Sequence, residues 1–398
     1  MTKILISAGE ASGDMYAGVV TKALKDIDKN IEVFGMGGDG LKAAGGEVLF
    51  DYKATSVMGF EAVIRNFPTI ARRMKDFVKV MEDRKPDCLV CVDFPGFNMV
   101  LSELARERGI PVLYFIPPSA WAWKRSRAKK IAAITDKVAC VLPSEYSVYV
   151  EDGADAEFVG HPLVDLTNPT MTKVEAEAFA GKREGQKLVV IIPGSRDKEI
   201  KHMLPVLLEA AKILSKEIPN LCFAMPKAKS ISKAVLEDSI SKIGLDVKLI
   251  EGNNYDLFSV GDIALAKSGT VTMEAALCGL GSVIVYKMDP MFYFLAKCFV
   301  KIKDIGLPNI VAGKRVFPEL LQDDCNPRKI ADEAEKMLSE AGQVQIAKDV
   351  ALIKENLGGG GAAQRVAQLA IKVASGPKPK VTSTSFKLKV VHLLLKIF

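Results

Sequence analysis

At 398 residues and 49% hydrophobic, the chain exceeds what one core usually organises, and two domains of ordinary size are expected. No run is long enough for a membrane-spanning helix, and the opening MTKILISAGEASGD has too few apolar residues before Gly9 for a secretory signal, so a cytoplasmic protein is expected. A net charge of +6 suits anionic partners such as phosphate groups or an acidic membrane surface and calls for no nucleic acid; seven scattered cysteines argue against a disulfide framework.

Apolar runs of strand length alternate with amphipathic helical stretches, the pattern of parallel sheets covered by helices on both faces, so the chain reads as α/β. In the first half, strands are expected over Lys3–Ala8, 31–35, 87–92, 111–116, 137–142 and 156–159, with helices over 68–82 and 96–108. The first loop, Gly9-Glu10-Ala11-Ser12-Gly13-Asp14, joins a strand to a helix, so its amides and acidic side chains are expected to face a cleft. Ser12 or Asp14 could equally cap the helix, a role that leaves Glu10 unexplained. Gly35, Gly37 and Gly40 form a GxGxxG, but after the second strand and without the acidic partner a dinucleotide needs; a glycine loop that admits a bulky substrate is expected instead.

Cys88 and Cys91 have metal-like spacing inside a strand, where their side chains diverge, and no second Cys/His pair follows. Asp93 leaves the carboxyl end of that strand, where a lone carboxylate fits a general base or a helix cap. The segment PPSAWAWKRSR holds both tryptophans, Trp121 and Trp123, beside cations that suit a sugar and an anionic group, or a core and a solvated face.

Residues 161–186 read as an interdomain linker with one short helix. A second alternation follows, with strands over Lys187–Ile192, 220–225, 246–250, 262–266 and 282–286. After the first of these, Gly194-Ser195-Arg196 presents amides and a guanidinium where a phosphate would bind. Lys267-Ser268-Gly269-Thr270 repeats the device, and Glu274, one turn into the next helix, can accept both hydroxyls of a ribose. Two such loops in one half favour a nucleoside diphosphate, and the absence of GxxxxGK[ST] excludes a P-loop. The D-x-D at Asp26 and Asp28 ends a surface helix, so neither metal nor cofactor is expected. Beyond Asn326 the pattern is helical, broken by glycines 358–361 and resuming over 362–373; residues 387–398 look like a basic amphipathic helix. The domain expectation is residues 1–165 and 166–345, with helices over 346–375 that could cross back and a basic tail over 376–398.

Taken together, GEASGD, SVMGFEAV, CVDFPGFN, PPSAWAWKRSR, FVGHPLVD, IPGSR, AKSGTVTMEAAL, and GLPNIVAG through PELLQDDC resemble the lipid-A-disaccharide synthase family, in order and spacing, up to about Val373. The resemblance implies the GT-B fold, two Rossmann-like domains facing a cleft, with the nucleotide held mainly by the second. It implies a UDP-2,3-diacylglucosamine donor and a 2,3-diacylglucosamine 1-phosphate acceptor, joined β(1→6) with inversion at the cytoplasmic face of an inner membrane. Asp93 matches the base, and Glu10 is taken with it as a catalytic candidate although its role stays open between substrate positioning and domain closure; Arg196, Ser195, Gly194 and the Ser268, Gly269, Thr270 helix start match the diphosphate site, and Glu274 the ribose site. Asn309 and Gln322 match cleft positions whose roles stay open between substrate positioning and domain closure, Ser12 and Trp123 are further cleft candidates, and His161, at the hinge in a family-like GHP segment, reads equally as a structural or a catalytic histidine. Acylated substrates call for apolar surface ringed by cations, and two stretches qualify: Met58, Val63, Ile64 and Phe67 near Arg72 and Arg73, and Phe292 and Phe294 near Lys301. Core packing is the alternative for both. Competing readings are another UDP-sugar enzyme of this fold, such as the muramyl-pentapeptide transferase or the UDP-N-acetylglucosamine 2-epimerase, and a silent nucleotide-sugar sensor; oligomeric state stays open.

Overall fold

The computed structural model describes residues 1–54, 67–118, 125–288 and 304–379. Met58, Val63, Ile64, Trp123, Phe292, Phe294 and residues 380–398 of the basic tail lie outside the described residues, as does the side chain of Phe67. The chain divides into two units, one of residues 1–162 together with residues from 360 onward, the other of residues 163–359.

In the first unit the described strands are β1 (Lys3–Ala8), β2 (Glu32–Gly37), β3 (Glu47–Asp51), β4 (Cys88–Val92), β5 (Val112–Phe115), β6 (Lys137–Cys140) and β7 (Ala156–Phe158). They form one parallel sheet in the order β3-β2-β1-β4-β5-β6-β7. Every residue of β4 is buried, because a central parallel strand has helices on both faces and needs an unbroken apolar run. On one face, helix Phe67–Arg84 presents Met74, Phe77 and Met81 at helical spacing, and Pro95–Glu107 presents Phe97, Leu101, Leu104 and Ala105. Helix Ala11–Ile27 packs on helix Ala362–Ser375, which reaches the unit from the far end of the sequence and also contacts β4 and β5. Alanines 363, 367 and 370 on its buried side permit that close approach.

The second unit repeats the plan with β8 (Lys187–Ile192), β9 (Leu221–Pro226), β10 (Lys248–Ile250), β11 (Ile263–Lys267), β12 (Gly281–Tyr286) and β13 (Glu319–Leu321), all parallel, in the order β10-β9-β8-β11-β12-β13. The stretch read as a linker opens this unit and carries two short helices instead of one, Leu163–Leu166 and Lys173–Ala180, the latter with a complete Thr172/Glu175 capping box. Two further strands escape the pattern reading, β3 and β13. Both are edge strands, paired on one side only, short and partly exposed, so their sequences carry little apolar signal.

In each sheet the strand order reverses next to the first strand, between β1 and β4 in one unit and between β8 and β11 in the other. Loops leaving neighbouring strands there go to opposite faces, which opens a crevice at the carboxyl edge.

Candidate active site

Glu10 and Asp93 leave the two strands at the first reversal, since β1 and β4 end in register with Ala8 beside Val92. Glu10 is the extended residue ahead of helix Ala11–Ile27, and its side chain does not cap that helix; half-buried Ser12 sits in the first turn. Asp93 and Phe94 are both left-handed, with φ of 48° and 50°, a conformation that costs non-glycine residues about 1–3 kcal/mol each. What holds this turn is a set of buried donors: Asn98 Nδ2 reaches the Asp93 carbonyl at 2.7 Å, Tyr114 Oη reaches it at 3.0 Å, and the Asp93 amide donates to the Phe115 carbonyl at 3.0 Å. Phe94 lies where any side chain on Gly9 would go, 2.1 Å from an ideal Cβ, so Gly9 is required by its neighbour. Burial, reinforced by the charge of Glu10, pushes the Asp93 carboxyl up to about 6. Such a group is largely ionised at neutral pH yet a better proton acceptor than an ordinary aspartate.

Asp14 does not cap its own helix. Its carboxylate accepts from the amides of Gly38 at 2.6 Å, Gly40 at 2.8 Å and Leu41 at 3.0 Å. The glycine loop expected to admit a bulky substrate is closed by that carboxylate, and a Cβ on Gly40 would lie 2.8 Å from the Asp14 carbonyl oxygen. Its glycines serve close packing on helix Ala11–Ile27. His161 is buried edge-on against Tyr16, with ring centroids 6.1 Å apart, and burial pulls its pKa down to about 4. The imidazole therefore stays neutral across the physiological range.

The second unit builds a counterpart at its own reversal. Gly194, at φ 123°, brings the chain past Glu199, whose Oε2 would lie 2.6 Å from a Cβ there. Glu199 accepts from the Ser195 amide at 3.0 Å, from Arg196 at 3.2 Å and from Lys267 Nζ at 2.9 Å. Burial raises its carboxyl, and the Lys267 bond, the Ser195 amide and the charges of Lys267 and Arg196 outweigh that, so the net shift is downward. Arg196 remains half exposed, with its guanidinium available to an anion. Across the reversal, the Ser268 amide is taken by the Val285 carbonyl, and Gly269, in extended backbone, opens helix Thr270–Leu277, whose first amides have no partner within the helix. Glu274 sits one turn in, and burial pushes its carboxyl up to about 6. Asn98 and Tyr114 are residues to which the sequence reading gave no role, and Lys267 was read only as the first residue of a strand-end loop, with no task of its own. The only signal for Lys267 was a cation ending an otherwise apolar strand.

Asn309 and Gln322 were expected at cleft positions, and both are engaged by the chain itself. Asn309, fully buried, donates to the Phe317 carbonyl and to Glu319, and accepts from the amides of Val316 and Phe317. Gln322 exchanges two hydrogen bonds with the backbone of Met288, at 2.8 and 2.9 Å. Among the described residues no group of three or more His, Cys, Asp or Glu is placed to hold a metal.

A family model for lipid-A-disaccharide synthetase matches residues 4–373. The lipid-A-disaccharide synthase of Geobacter sulfurreducens is 39% identical over 373 residues, covering 93% of this chain and 97% of that protein. Among solved structures, the UDP-GlcNAc 2-epimerase of Neisseria meningitidis bound to UDP-GlcNAc aligns with a TM-score of 0.65 at 16% identity, over 93% of this chain and 100% of that one. The calicheamicin glycosyltransferase CalG4 aligns at 0.60 and 14% identity, over 94% and 98%. Those likenesses show the fold, two Rossmann-like units of GT-B type, and the sequence match over residues 4–373 goes further: the chain belongs to the lipid-A-disaccharide synthase family of glycosyltransferases.

Proposed function

We propose that the protein transfers diacylglucosamine from UDP-2,3-diacylglucosamine to the 6-hydroxyl of 2,3-diacylglucosamine 1-phosphate, forming a β(1→6) disaccharide and releasing UDP. The observation that carries the reading is the left-handed turn at the end of β4, which sets a carboxylate of raised pKa beside Glu10 at the point where the strand order reverses. Asp93 takes the proton of the acceptor hydroxyl as its oxygen attacks the anomeric carbon, and UDP departs from the opposite face, so the anomeric configuration inverts. No general acid is needed, because the leaving diphosphate is already a weak base. Its growing charge is met by Arg196 and the helix start at Ser268, Gly269 and Thr270, and the ribose by Glu274.

Both substrates are acylated, so the reading includes peripheral contact with the cytoplasmic face of an inner membrane. Among the described residues no helix is long and apolar enough to cross one. The test is UDP release from the diacylated donor with and without the 1-phosphate acceptor, for wild type and Asp93→Ala. Acceptor-dependent release that disappears in the variant supports the transferase. Donor consumed without acceptor, with the sugar epimerised at C2, would replace it by the epimerase reading that the fold likeness alone permits.

A further inference from the structure

Helix Pro95–Glu107 spends one of its first buried positions on an asparagine, where leucine or alanine would favour the helix more. The Asn98 side chain is turned entirely to the strand ends. Besides the Asp93 carbonyl, its Nδ2 reaches the carbonyls of Ser7 at 3.2 Å and Val92 at 3.3 Å, and its Oδ1 accepts from Ser7 Oγ at 2.7 Å. Ser7 lies in β1, three residues before Glu10. One buried amide thus ties the strand that delivers Glu10 to the strand that delivers Asp93, while Tyr114 holds the Asp93 carbonyl from β5. Asn98, Ser7 and Tyr114 are each 0% exposed, so none of them can touch a substrate.

We infer that Asn98, assisted by Tyr114 and Ser7, is a positioning residue that fixes the direction of the Asp93 carboxylate and its separation from Glu10. The inference rests on reading Asp93 as the base. Without the tie, the two left-handed residues relax toward ordinary backbone, and the carboxylate moves toward water and away from Glu10. The groups facing Asp93 then decide how its titration responds. Glu10 comes from the β1 loop; Cys91 on β4 and Tyr114 on β5 are both raised by burial and stay neutral, and the charge of Arg127 reaches Tyr114 from helix Ser126–Ile134. Burial, the larger cause, and the Glu10 charge both raise the Asp93 pKa and both weaken as the carboxylate turns to water, against the smaller lowering effect of its bond from the Phe94 amide, so loosening the tie lowers the pKa from about 6 toward the ordinary carboxylate range.

The experiment is the pH profile of acceptor-dependent UDP release by the full chain for wild type, Asp93→Asn, Asn98→Ala, Tyr114→Phe and Ser7→Ala. Asn98→Ala is expected to lower kcat about 100-fold and Tyr114→Phe about 10-fold, because small misplacements of a reacting group cost rates of that order. Donor KM should hold within about twofold, and the acidic limb should move to lower pH. A purely structural role would lower the yield of folded protein and leave kcat per folded molecule and the limb where they were. That result in soluble Asn98→Ala and Tyr114→Phe would overturn the inference. If Asn98→Ala does not fold, Tyr114→Phe and Ser7→Ala carry the test, since each removes a single hydroxyl. Asp93→Asn distinguishes the two failures: wild-type activity in that variant removes the base assignment and the inference with it, whereas a dead Asp93→Asn beside wild-type positioning variants removes the inference alone.

Discussion

Asp93 and Glu274 are in the same physical position: each is a carboxyl pushed up to about 6 by burial, so each binds its proton more tightly in the folded chain than in the unfolded one. The sign follows. Their contribution to stability is full below the ordinary carboxyl range and is lost as pH rises through about 6, which makes both residues a cost at neutral pH. Glu274→Gln should therefore stabilise the protein at pH 7 by about 1–2 kcal/mol, because the burial that raises this carboxyl to about 6 penalises its charged form, while loosening UDP about tenfold. Denaturant unfolding and UDP titration check the two halves separately, and a variant no more stable than wild type would contradict the burial argument. Asp93→Asn should retain UDP affinity and lose at least about 100-fold in kcat, read in the same UDP-release assay. The places of Asp93 and Glu274 near strand ends were legible in the sequence because each follows or enters a strand-end loop. Asn98 was not, because nothing local distinguishes an asparagine that binds two strand ends from one that faces water.

At the scale of elements, the alternation of apolar strands and amphipathic helices was readable almost throughout, since parallel strands buried on both faces leave a strong signal. The glycine loop at 35–40 was misread because its partner is Asp14, from a helix more than 20 residues earlier, and spacing within the loop carries no trace of it. Asp14→Ala leaves three amides without their acceptor and should cost about 3–5 kcal/mol of stability, whereas Ser12→Ala should stay within about 1 kcal/mol. Thermal or denaturant unfolding of the two variants checks this, and equal losses would mean that the loop is held by something else. The elements missed outright, β3 and β13, lie at sheet edges, where one-sided pairing lets a strand be short and mixed in character.

For the whole molecule, His161 opposes the two carboxyls. Its imidazole titrates at about 4 in the folded chain against an ordinary 6.5, so its contribution is full above 6.5 and is lost as pH falls toward 4, on the order of 3 kcal/mol. Between about pH 4.5 and 6 the slopes from His161 and from the carboxyls have opposite signs and partly cancel. His161→Gln should remove one side of that balance, so that stability in this window falls with rising pH; an unchanged pH profile of unfolding would show that the burial of His161 carries no such weight. Helix Ala362–Ser375 acts at the same scale, with Arg365 Nε donating to the Val159 carbonyl at 2.9 Å inside the first unit.

That helix also sets an order of events on the ribosome. The residues made first belong to a unit that stays incomplete until residue 375 has emerged, while residues 163–359 form an uninterrupted stretch able to finish beforehand. Completion of the two units during synthesis thereby runs against the usual amino-to-carboxyl order, and the side of helix Ala11–Ile27 that packs on helix Ala362–Ser375 stays uncovered until that helix has been made.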